Sequence, residues 1–252
     1  MEKNSKRIWI SSEIFYWDSS STGGTVLSQE PISRAYSIWE HAKTLIEGNN
    51  SKFALADGVT NLKRSYNHRL NHIETLYSFR IINIKNKPKG YLELLESFQI
   101  VRPYIMDNLR LIRNAIEHND APPPDINRCK ELLDVVWYFL KSTDKLVQLL
   151  QETCFELENE DSHGEAKYWF EPTINYGNPF SILIRGNFPR DLVSYEEKIG
   201  FFMIDKKNPI SEEQKRFPFH IKEYGSCFSI FGPVKLETIE IEKLVSKVIT
   251  AY

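Results

Sequence analysis

Cysteine, net charge and long apolar runs are all scarce in this chain, and each scarcity removes a class of protein. The 252 residues hold three cysteines, Cys129, Cys154 and Cys227, an odd number with no Cys-x-x-Cys pair. That excludes a disulfide framework and the common zinc motifs. The formal net charge is -2. Bulk attraction to nucleic acid or to an anionic membrane is excluded with it, so any RNA contact has to come from a local patch. No run approaches the ~20 apolar residues of a membrane span. Residues 1–17 have no apolar signal core. The expectation is a soluble cytoplasmic protein with no membrane partner. Thr22-Gly23-Gly24-Thr25 lacks the spacing and the lysine of a phosphate loop and reads as a turn. Asp57, Glu93 and Glu96 form no recognisable metal cluster, and His163 and His220 stand alone. Neither a metal nor a cofactor is expected.

What is present is an ordinary globular balance, 41% hydrophobic and 26% charged, enough to bury a core. Residues 7–17 (RIWISSEIFYW) are β-branched and aromatic and predict a strand. Residues 18–24 (DSSSTGG) predict a loop. Pro31 suits a first helical turn, and Ile32, Tyr36 and Trp39 continue at helical spacing until Gly48 and Asn49. A second helix is predicted over 51–82, with Leu55, Val59, Leu62, Tyr66, Leu70, Ile73 and Tyr77 as its apolar stripe. Its other side carries Asn61, Arg64, His68 and His72, with Lys63 and Arg69 beside them. A short helix over 91–98 precedes another from Pro103 to about His118, with Ile105, Leu109, Ile112 and Ile116 inward. Residues 119–124 (NDAPPP) end it. Asp125 or Asn127 caps the next helix, which carries Leu132, Leu133, Val136, Phe139, Leu140, Leu146 and Leu149. These helices describe an antiparallel bundle.

The pattern changes near 159–164 (NEDSHG). Short β-like runs follow at 168–170, 180–184, 199–204, 217–221 and 227–231, separated by proline and glycine as in an antiparallel sheet. A terminal helix is predicted over 236–251. The expected organisation is an N-terminal strand and loop segment (1–30), a helical bundle (31–158) and a small α+β domain (165–252), a mainly α chain as a whole.

Arg113-Asn114-Ala115-Ile116-Glu117-His118 closes the helix that begins at Pro103. Asn114 and His118 are four apart and share a face, and Arg113 and Glu117 are four apart and can pair. Arg113 and His118 are five apart, roughly 140° on an ideal helix. They converge only if the helix end loosens or a second subunit supplies half of the site. The residue types suit RNA cleavage. A histidine near neutral pKa can take a proton from the ribose 2′-hydroxyl or return one to the leaving 5′-oxygen. A guanidinium can hold two phosphorane oxygens with its planar fork. Asn114 can orient the imidazole or the phosphate, and Glu117 can set the histidine tautomer or tether Arg113. Arg64, His68, Arg69, His72 and Arg110 are candidates for an RNA-binding groove beside the motif. The plainer interpretation is an exposed helix terminus with a surface ion pair.

RNAIEH resembles the signature of the HEPN superfamily: arginine, a polar residue, three further residues and histidine near the end of a core helix. The bundle over 31–156 matches that family in length and helix count. The resemblance implies a four- to five-helix bundle and a homodimer whose two motifs meet in an interfacial cleft. It also implies metal-independent endoribonuclease activity, of the kind found in toxins and phage-defence effectors. Arg113 and His118 carry over as catalytic, and Asn114 as the motif's polar position. An antitoxin or defence-system partner is implied as well. One subgroup, paired with a nucleotidyltransferase antitoxin, has a tyrosine two residues after the histidine, where this chain has Asp120. The alternative is a catalytically silent HEPN-fold scaffold that dimerises and contacts a partner through the C-terminal region.

Overall fold

A computed structural model describes residues 7–48, 51–119, 121–157, 168–207 and 219–250. Asp120, the stretch 159–164 with His163, and the start of the 217–221 run lie outside these residues. Seven α-helices and two antiparallel sheets make the chain α+β among the described residues. It divides into two compact units: Thr25–Arg80 with Lys87–Leu150, and Met1–Gly24 with Ile81–Asn86 and Gln151–Tyr252.

The first of these units is helical: α1 (Glu30–Gly48), α2 (Lys52–Tyr77), α3 (Tyr91–Ser97), α4 (Pro103–Asn119), α5 (Ile126–Ser142) and α6 (Asp144–Gln148). The sequence supplies the ends. Ser51 caps α2, its hydroxyl accepting from the Ala54 N–H at 3.2 Å. Asp125 caps α5 through the Arg128 N–H at 3.0 Å. Pro31 and Pro103 sit in first turns, where a missing N–H costs nothing. The stripe from Leu55 to Tyr77 on α2 is buried throughout. Gly58 lets α1 come close, because a Cβ there would lie 2.6 Å from Ile46 Cγ1. Polar pins cross the core: Trp39 Nε1 donates to the Leu133 carbonyl at 2.9 Å, Ser65 Oγ to Ala35 at 2.7 Å, and Tyr77 Oη to Leu146 at 2.7 Å.

The other unit carries the sheets. β1 (Arg7–Ser11) lies between β6 (Val193–Ser194) and β7 (Phe201–Asp205). The larger sheet runs in the order β2 (Asp18–Val26), β3 (Leu149–Leu157), β4 (Tyr168–Asn175), β5 (Ser181–Pro189), β9 (Cys227–Pro233), β8 (His220–Tyr224). Phe15, Trp17, Phe155, Phe170, Phe188 and Phe202 form its aromatic core, with Phe155 stacked on Phe170 at 4.7 Å. The chain closes with α7 (Ile241–Thr250).

Several expectations are corrected. Residues 18–24 are not a loop but most of β2, an edge strand beside β3. Pairing overrides the poor β-propensity of serine and glycine, and polar residues suit an exposed edge. Leu149 does not continue a helix, because residues 149–157 form β3, whose Phe155 and Leu157 pair with Phe170 and Tyr168. The helical unit therefore ends at Leu150, and β1 belongs with the C-terminal strands rather than standing apart. α2 stops at Tyr77, where Ser78 turns left-handed at φ 43°. The terminal helix begins at Ile241, after a single 3-10 turn over Leu236–Thr238.

Candidate functional site

α4 holds the whole motif. Arg113 forms an ion pair with Glu117 one turn on, and its Nη1 donates to Asn114 Oδ1 at 3.2 Å. Glu117 thus tethers the arginine, and Asn114 braces it from the neighbouring position. Neither residue bonds to His118. The Arg113 side chain is 23% exposed, so its guanidinium is held close to the protein surface and not loose in solvent. His118 is exposed at the helix end.

Of the two ways in which Arg113 and His118 could converge, a loosened helix between them is not observed. α4 runs on to Asn119, and the Ala121 N–H closes back on the Ala115 carbonyl at 3.2 Å. That bond spans six positions, one more than the usual helix-ending closure, and the motif itself is helical throughout. The two side chains therefore leave α4 about 140° apart. Within one chain the structure does not bring them together.

Arg113 opens instead onto α2. A cleft of about 390 Å³ is lined by Lys63, Arg64, Asn67, His68, Asn71 and Arg113. Positions 63, 67 and 71 stack in one row along α2, and 64 and 68 in the next. Burial pushes the Lys63 ammonium below its ordinary pKa, and the positive charges of Arg113 and Arg110 push the same way against Glu117. Burial also lowers the His68 pKa, assisted by Arg34, Arg69 and Arg64. His72 is lowered by burial and then by Arg69 and His68. His68 Nδ1 and His72 Nε2 are buried without a hydrogen-bond partner.

The five groove candidates separate. Arg64 and His68 line the cleft. His72 lies one turn further along α2 and does not line it. Arg110 is exposed and pairs with Asp107 at 3.1 Å. Arg69 is corrected outright: it is wholly buried and cannot face a groove. Its guanidinium donates at 2.9 Å to the Leu140 carbonyl, to Thr143 Oγ1 and to Asp144 Oδ1, while Tyr36 Oη donates to Asp144 Oδ2 at 2.7 Å. A charge in that position ties α2 to the α5–α6 junction.

Asn67 and Asn71 were not among the sequence candidates. Their signal was present, because Lys63, Asn67 and Asn71 form a polar row at four-residue steps, as regular as the apolar stripe behind it. Among the described residues, no group of three or more His, Cys, Asp or Glu side chains could hold a metal ion. Burial pushes the Cys129 thiol up to about 11 and the Cys154 thiol up to about 12, which leaves both unreactive near neutrality. Among the described residues, no helix is long and apolar enough to cross a membrane.

No protein-family model, curated protein or solved structure matches this chain. The likeness to the HEPN superfamily therefore rests on the motif and its helical setting alone.

Proposed function

We propose that this chain is a metal-independent endoribonuclease of the HEPN type, acting in the cytoplasm as a toxin or defence effector and restrained there by an antitoxin or defence-system partner that the purified protein lacks. The observation that carries this reading is the RNAIEH helix end: Arg113 is pre-oriented by Glu117 and Asn114, while His118 is exposed on the same regular helix. In the reaction, an imidazole takes the 2′-hydroxyl proton, O2′ attacks the adjacent phosphorus, and the P–O5′ bond breaks. The products are a 2′,3′-cyclic phosphate and a 5′-hydroxyl, whose proton comes from an acid on the far side. Arg113 holds the phosphorane oxygens as their charge grows.

Because a regular helix separates Arg113 from His118, the reading requires a second copy of the chain. A dimer would bring one protomer's His118 to its partner's arginine and supply two imidazoles, one as base and one as acid. Tyr104 (78% exposed), Leu111 (60% exposed) and His118 lie at seven-residue steps on one side of α4. Such a face gives a dimer an apolar strip that ends at the histidine.

One observation favours the silent-scaffold alternative, namely that Glu117 already neutralises Arg113. A single experiment separates the two. Purified protein is incubated with total RNA in EDTA, and growth is followed after induction. Wild type is expected to fragment RNA and arrest growth, whereas His118→Ala and Arg113→Ala, still folded by circular dichroism, do neither. Intact RNA with wild type, or unchanged cleavage in both variants, defeats the enzyme reading.

A further inference from the structure

The cleft between α2 and α4 is more than the surroundings of Arg113. Three cations line it, and Glu117, bound to Arg113, is the single carboxylate paired with any of them among the described residues. Lys63 and Arg64 form no ion pair, and the side-chain amides of Asn67 and Asn71 make no hydrogen bond within the described chain. His68 contributes an imidazole with one buried nitrogen left without a partner. Uncompensated charge and free amide donors in one concave site are the requirements of a bound oxyanion. The row from Lys63 to Asn71 extends about 12 Å along α2, longer than a single phosphate needs.

We propose that this cleft is a phosphate-binding site that seats the backbone of an RNA strand beside Arg113. Lys63 and Arg64 supply charge, Asn67 and Asn71 supply amide donors, and His68 lines the floor with its imidazole. Burial and the nearby arginines lower the His68 pKa, which disfavours a fourth cation in the cleft. The assignment rests on the ribonuclease reading only for the identity of the strand. Lys63, Asn67 and His68 are positioning and binding residues, distinct from the reacting pair Arg113 and His118.

The test uses the full chain and a fluorescent 2′-O-methyl oligoribonucleotide, which cannot be cleaved, with binding followed by anisotropy over a salt series. Lys63→Gln is expected to weaken binding about tenfold and to reduce the salt slope by about one phosphate contact. Asn71→Leu should weaken binding with the salt slope unchanged, because it removes a donor without a charge. Lys130→Gln, on the exposed side of α5, should bind as wild type does. A free mononucleotide or inorganic phosphate should compete only weakly, at far higher concentration than the strand. Equal affinity across all four proteins would overturn the proposal, as would equal weakening in Lys130→Gln. Displacement by a mononucleotide as effective as by the strand would overturn the strand assignment. Failure of the ribonuclease reading shows separately: natural RNA then stays intact while the uncleavable oligomer still binds in the cleft.

Discussion

At the scale of single residues, charge has been sorted by burial. Arg113 and Arg69 are both arginines on helices, yet one opens onto a cleft and the other is sealed in the core. Removing a buried charge that donates to a carboxylate, a carbonyl and a hydroxyl takes one donor from each, and Tyr36 is left as the hydrogen-bond donor to Asp144. Arg69→Met is therefore expected to cost about 3 kcal/mol or more, read as a lower urea midpoint. His68 and His72 make a second prediction at this scale. Their folded pKa values lie below the ordinary 6.5 of histidine. As pH falls below 6.5 the unfolded chain takes up these protons first, so stability drops on acidification through that window. Replacing both with Gln should flatten that slope in urea titrations between pH 7 and 5, and an unchanged slope would assign the loss to other groups. The motif itself was legible in the sequence, because its residues are contiguous. The burial of Arg69 was not. Position 69 borders the polar face in projection, and only the packing of α5 and α6 against α2 encloses it.

At the scale of elements, helices were the more readable half. α1, α2, α4 and α5 each announce themselves by an apolar stripe, and Ser51, Asp125, Pro31 and Pro103 mark where they begin. The strands depend on partners. DSSSTGG has no strand signal, and LLQETCFEL suits a helix as well as a strand until Phe155 finds Phe170 across the ladder. Gly186 on β5 shows how close that pairing is. A Cβ there would lie 2.3 Å from the Trp169 carbonyl oxygen and 2.8 Å from Phe170 Cα, both backbone atoms that no side-chain rotation can move. Gly186→Ala is expected to cost about 1–3 kcal/mol by pushing β4 away. A denaturation midpoint equal to wild type would mean that β4 yields freely. An alanine at Gly200, where no atom lies within 4 Å, tests φ +80° strain without a clash.

At the scale of the whole molecule, the site has two parts that one regular helix cannot unite. If a second copy completes it, one inactive chain should silence its partner. When wild type is mixed in equal amount with His118→Ala and the chains exchange, about half of the dimers hold a single imidazole and only about a quarter keep both. Cleavage per total protein should fall to about a quarter of that of wild type alone. A fall to only about half after confirmed exchange would exclude the shared site and place both residues' work within one chain.

Local periodicity and covalent order are enough to fix most of the helical segments, the RNAIEH cluster and the roughly 140° separation within it. Long-range packing set the rest. It joined β1 to strands almost 200 residues later, made strands of 18–26 and 149–157, and sealed Arg69 while leaving Lys63, Arg64 and Arg113 around one cleft. The reason is physical: strand pairing and burial are set by residues distant along the chain, whereas a helix closes its hydrogen bonds within four residues of itself.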